Sequence, residues 1–111
     1  MTDALAAAYR ALARSAWDAN LARATELAAL LAAWHDAGRL TDEQRQRAKA
    51  VAHGLRGSAG TFGHERASAA AGELEGMLAS APAAGPPDAA LSLMRQIHDA
   101  LAQKPELDDE P

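Results

Sequence analysis

Apolar residues recur along this chain at the three-to-four-residue spacing of helices, in runs separated by glycine, proline and polar breaks. Leu5, Ala8, Tyr9 and Leu12 make a first stripe, opened by Thr2 as N-cap with Asp3 at the positive end of the dipole and closing near Arg14. A second stripe, Leu27, Leu30, Leu31 and Trp34, starts from an N-cap at Asp18 or Asn20 and stops at Gly38, which takes the left-handed C′ conformation without strain. Thr41-Asp42-Glu43-Gln44 reads as a capping box for a third helix that runs to about Gly60. Thr61-Phe62-Gly63 then turns the chain, and His64 to about Ala79 is the next helix, with Ala67, Ala70, Ala71, Leu74, Met77 and Leu78 inward. These two helices form a hairpin. The proline- and glycine-rich stretch Ser80 to Pro87 breaks the pattern, and Asp88 starts a last helix with Leu91, Met94, Ile97 and Leu101 on one face and Pro105 closing it. No strand-like alternation and no internal repeat occurs. The pattern predicts an all-α chain: an antiparallel four-helix bundle over residues 1–104 with a short extra N-terminal helix, then an acidic tail, 105–111, expected to be disordered.

Composition narrows the picture. At 111 residues and 11.5 kDa the chain makes one domain with a modest core. Its residues are 49% hydrophobic but only 4% aromatic, so the core is built from alanine and leucine, which lets helix backbones approach closely. Trp17 and Trp34 are expected to pack there. The absence of cysteine removes disulfides and thiolate chemistry. No run of about 18 apolar residues is present and no signal region follows Met1, so a cytoplasmic protein without a membrane association is expected. Four of the 15 acidic residues, Glu106, Asp108, Asp109 and Glu110, sit in the tail, and the 11 that remain balance the 11 lysines and arginines. The body is near neutral, with no basic patch of the kind a nucleic-acid binder needs, and no nucleic-acid partner is expected.

The candidate chemistry lies between Ala52 and Gly63. Placing the third helix at 100° per residue gathers Ala48, Val51, Ala52, Leu55 and Ala59 on one side, with Phe62 continuing the line. His53 falls well away from that face and is predicted to meet water, with Gln46, Ala50, Gly57 and Gly60 around it and Arg56 one turn on. Glycine inside a helix costs about 1 kcal/mol against alanine, so Gly54, Gly57 and Gly60 together are a penalty with no gain in folding. A surface stripped of side chains lets another protein bring a reactive group up to the imidazole. Imidazole titrates near neutral pH, which makes an unprotonated ring nitrogen available as a nucleophile. Arg45 and Lys49 lie on the same side as Arg56 and extend a basic strip toward His53. His35, His64 and His98 have no i, i+4 partner, so no metal site is expected.

His53, then Arg56-Gly57-Ser58-Ala59-Gly60, then Phe62-Gly63, resembles the signature of the histidine-containing phosphotransfer (HPt) family, H-x-x-[K/R]-G-S-A-G-x-x-G. The resemblance runs on through Ala67, Ala70, Ala71, Leu74 and Glu75 and covers Ala48 to Leu78. Two positions depart from the usual pattern: arginine stands at 56 where lysine is common, and His64 stands where an apolar or aromatic residue is usual. Arginine keeps the charge and can grip a phosphoryl group with two N–H groups. The resemblance implies a four-helix bundle whose His53 accepts a phosphoryl group on Nε2 from an aspartyl-phosphate receiver domain and passes it to another receiver in a two-component phosphorelay. It implies Arg56 as phosphoryl stabiliser and Gly54, Gly57, Ser58 and Gly60, with Arg45 and Lys49, as the docking surface. The expected partners are response-regulator receivers or a hybrid histidine kinase, with no cofactor on this chain and Mg²⁺ on the receiver. The protein is then a monomeric carrier without catalytic apparatus of its own. The alternative is a bundle that binds and inhibits a kinase or receiver without carrying phosphate.

Overall fold

The computed structural model describes residues 2–80 and 85–103. They form four helices: α1 (Thr2–Ala37), α2 (Asp42–Thr61), α3 (Glu65–Ala79) and α4 (Asp88–Leu101), with no strand among the described residues. Each helix packs on its chain neighbours, and α4 closes the ring on α1, so the four stand as an up-down-up-down bundle. The expectations for Pro105, for the acidic tail and for the cap on Thr2 lie outside what is described. No described helix is long and apolar enough to cross a membrane.

The first two predicted helices are one. α1 runs unbroken for 36 residues, and neither Asp18 nor Asn20 is an N-cap. The segment between the two stripes contains no glycine or proline, so nothing stops the helix, and Asn20 finds side-chain partners, one across the bundle and one on α1, instead of its own backbone. Asn20 is fully buried; its Nδ2 donates to Ser58 Oγ at 3.2 Å, and its Oδ1 accepts from Arg23 Nη1 at 2.8 Å. At 1.5 Å per residue α1 matches the 54 Å long axis of the molecule, whereas α2 spans only about 30 Å. The first turns of α1 therefore extend beyond the other helices, and Leu5, Tyr9 and Leu12 stay exposed.

The hairpin follows its predicted pattern. Thr41 Oγ1 accepts from Gln44 N and Gln44 Oε1 accepts from Thr41 N, both at 3.0 Å, which closes the capping box. Ala48, Val51, Ala52, Leu55 and Ala59 are buried on α2 and face Ala67, Ala70, Ala71, Leu74 and Leu78 of α3. Gly38 at φ +81° ends α1, and Gly63 at φ +89° makes the turn between α2 and α3. Arg47 clasps Glu26 with two hydrogen bonds, tying α2 to α1, and this guanidinium holds the Glu26 carboxyl below its ordinary range.

Two apolar expectations change. α4 buries Ala90, Leu93, Ile97 and Leu101, while Leu91 is exposed and Met94 half-buried. At 100° per residue Ala90, Leu93, Ile97 and Leu101 fall within about 80° of one another and make the apolar face, with Met94 at its margin and Leu91 beyond it. Leu91 and Met94 instead line an open groove of about 740 Å³ against α1. Trp34 is buried, but Trp17 is only half-buried and donates from Nε1 to the Leu101 carbonyl at 3.0 Å, at an end of α4 where carbonyls lack helical partners.

His64 is the N-cap of α3 without a side-chain cap bond, and its Nδ1 is buried without a partner among the described residues. Removing an unpaired polar atom is favourable. His64→Leu is expected to raise stability by about 1 kcal/mol, read as a higher urea midpoint at unchanged slope; a lower midpoint would mean that the imidazole contributes a bond of its own.

Candidate functional site

The antiparallel α2–α3 hairpin pairs residues about a centre near His64, and this register builds the site. His53 Nδ1 lies 3.0 Å from Glu75 Oε2, 22 residues on. The second carboxylate oxygen of Glu75 accepts from Arg56 Nη1 at 3.3 Å. His53 and Arg56 share one face of α2 at i, i+3, and one acid from α3 bridges both. A carboxylate can only accept, so this contact keeps the proton of the neutral imidazole on Nδ1 and leaves the lone pair on Nε2. The His53 side chain is 69% exposed and Glu75 only 24%, so the ring is held from beneath and open above.

The glycines divide into two kinds. A Cβ on Gly57 would meet nothing within 4 Å, so this glycine has no packing reason and leaves bare surface one turn from His53. Gly54 and Gly60 instead make room for polar side chains of the neighbouring helices: a Cβ at 54 would come 3.1 Å from Arg23 Nε of α1, and one at 60 would come 3.0 Å from Ser68 Oγ of α3. Ser68 Oγ also donates to the Arg56 carbonyl at 2.7 Å, which fixes the backbone below the site. Ser58 is turned toward α1, where its Oγ accepts from Asn20 Nδ2. Arg45 folds onto the end of α3 and donates to the Ala79 carbonyl at 3.4 Å, leaving half-buried Lys49, one turn before His53, as the cation nearer the site.

Glu75 is the residue to which sequence reading gave no role. Its signal was the hairpin itself, because 53 and 75 lie equally far from residue 64 on antiparallel helices. Gly72 follows the same symmetry with Arg56: a Cβ there would come 3.2 Å from Arg56 Cδ, so the missing side chain seats the arginine stem.

In comparison with known families, the model of the Hpt domain matches residues 16–104, most of the chain. Neither the curated proteins nor the solved structures gave a match.

Proposed function

The chain belongs to the Hpt domain family, phosphocarrier modules of histidine phosphotransfer in phosphorelays, and from this premise we propose that His53 is its phosphoacceptor, loaded by an aspartyl-phosphate receiver domain and discharged to another. The observation that carries the reading is the exposed imidazole with Nδ1 on Glu75 and Nε2 free to attack.

In the transfer, the Nε2 lone pair forms the N–P bond while the P–O bond to the receiver aspartate breaks and its electron pair returns to that carboxylate. The ring becomes positive as the bond forms. Glu75, already on Nδ1–H, stabilises that charge, and Arg56 sits one turn along to meet the phosphoryl oxygens. Gly57 leaves space for the receiver to approach. The Mg²⁺ this chemistry uses belongs to the receiver, and the carrier adds no catalytic group beyond its nucleophile and these two neighbours. Transfer to a second receiver is the same step reversed. The setting we propose is the cytoplasm, with receivers or a hybrid histidine kinase as partners.

The test is to mix the purified protein with phosphorylated receiver domains and look by intact-mass spectrometry for an acid-labile phosphoryl adduct. Its absence with every receiver tried, while one still binds, would replace the carrier with a binding module.

Glu75 gives a separate prediction. Glu75→Ala should leave His53 able to take phosphate but slow single-turnover transfer on the order of 10-fold, with the pH dependence of the rate altered because the tautomer is no longer fixed. An unchanged rate and pH profile would make the contact a surface ion pair without a role.

A further inference from the structure

We propose that Arg23 of α1 is a second cation of the phosphoacceptor face, a docking residue that meets anionic groups on the incoming receiver; this rests on the reading of His53 as the acceptor. A glycine inside α2, directly after His53, costs helix stability. The structure shows what it makes room for: a Cβ at Gly54 would come 3.1 Å from Arg23 Nε, 3.6 Å from Cδ and 3.7 Å from Cζ. The end of the arginine stem and its guanidinium therefore lie against bare α2 backbone beside the nucleophile. Consecutive Cα atoms stand about 3.8 Å apart, so Arg23 Nε is within about 9 Å of the His53 backbone. At 100° per residue, Gly54 lies about 100° round α2 from His53 and Arg56 about 60° round in the other direction. The imidazole thus stands between two arginines, Arg56 toward α3 and Arg23 toward α1.

Arg23 is held in place while its charge stays unspent. Its Nη1 donates to Asn20 Oδ1 at 2.8 Å, and the Nδ2 of this fully buried asparagine donates to Ser58 Oγ at 3.2 Å, so the amide is fixed from both ends. Gly54 and Ser58, one turn apart on α2, both serve this one side chain. Arg47 is bound to Glu26 and Arg56 to Glu75, whereas Arg23 makes no ion pair with an acid among the described residues. The Glu75 carboxylate offsets the charge of Arg56, and Arg23 supplies positive charge to this face that no acid offsets. A receiver brings the opposite charge, in its aspartyl phosphate and in the carboxylates that hold its Mg²⁺. Arg23 is half-buried and already ordered, so it gives up little freedom on meeting them, and partial exclusion of water strengthens the contact.

The test is single-turnover transfer from a phosphorylated receiver, measured over a range of receiver concentrations at low and high salt. It compares the wild type with Arg23→Gln, which keeps an amide donor for Asn20. The receiver concentration giving half the maximal rate should rise on the order of 10-fold in the variant, with a weaker dependence on salt, and the rate at saturation should change by less than about 2-fold. Arg23→Lys keeps the charge and should recover most of the affinity. Gly54→Ala should weaken docking in the wild type, because its methyl displaces the guanidinium, and should weaken it no further in Arg23→Gln. If Arg23 only braces Asn20, Arg23→Gln will melt at a lower temperature while its receiver and salt dependence stay at wild-type values; that result overturns the proposal and leaves His53 as the carrier. A loss confined to the rate at saturation overturns docking in favour of contact with the phosphoryl group. A wild type that takes no phosphoryl group from any receiver overturns the acceptor reading and, with it, this role of Arg23.

Discussion

Replacing His53 with glutamine is expected to abolish the phosphoryl adduct while leaving the bundle intact. The side chain is 69% exposed on α2 and contributes no core packing, so glutamine, of similar size, should change the melting temperature by less than about 2 °C. Glutamine offers no nitrogen lone pair of comparable nucleophilicity, so the loss should reach the detection limit, at least about 100-fold. The other three histidines make the control informative. His35 and His98 lie on the α1–α4 groove and His64 at the start of α3, none with a carboxylate bridge to an arginine like that at His53. An adduct that persists in His53→Gln would place the acceptor elsewhere and remove the central residue from the proposed mechanism. If instead a receiver binds wild type and variant equally and neither is phosphorylated, an inhibitory bundle becomes the better account.

The largest expected effect on stability comes from Trp34→Ala. Trp34 is the bulkiest of the fully buried side chains, 1% exposed, in a core otherwise made mainly of alanine and leucine. An alanine-lined core cannot collapse into the space an indole leaves, because its backbones already stand close and its neighbours have few rotamers to move. The loss should be about 3–5 kcal/mol, which for a domain of this size removes much of the total stability. Urea unfolding followed by far-UV circular dichroism reads it directly. A loss under about 1 kcal/mol would mean that the end of α1 is held by Gly38 and the α2 capping box more than by packing. Trp17→Ala should be milder, since Trp17 is half-buried and its main specific contact is one bond to the Leu101 carbonyl.

Much of the fold was legible because α2 and α3 carry strong, redundant signals. The Thr41 box, Gly38, Gly63 and the alanine and leucine stripes are each short-range devices, and each acts in the structure as its local chemistry requires. The errors fall where local chemistry left a choice. Asn20 looked like a cap because asparagine favours caps, but a polar side chain that finds Ser58 across the bundle and Arg23 one turn along its own helix no longer competes with its own backbone. On α4 the error was one of phase: Ala90, Leu93, Ile97 and Leu101 lie within about 80° of one another at 100° per residue, and Leu91 falls outside that face.

The same division holds at the site. His53, Arg56 and the glycines were set by sequence alone, because a helix face follows from spacing and a missing side chain is visible in the letters. The sequence also determined that the bundle is helical, nearly neutral in its body and free of cysteine. What only the tertiary structure decided is which distant groups those residues meet: Glu75 on His53 and Arg56, Ser68 in the space at Gly60, Arg23 at Gly54, and Ser58 turned toward Asn20. Spacing within one helix is fixed by 100° per residue, whereas contacts between helices depend on the register in which they pack, and that register is set by the whole core at once.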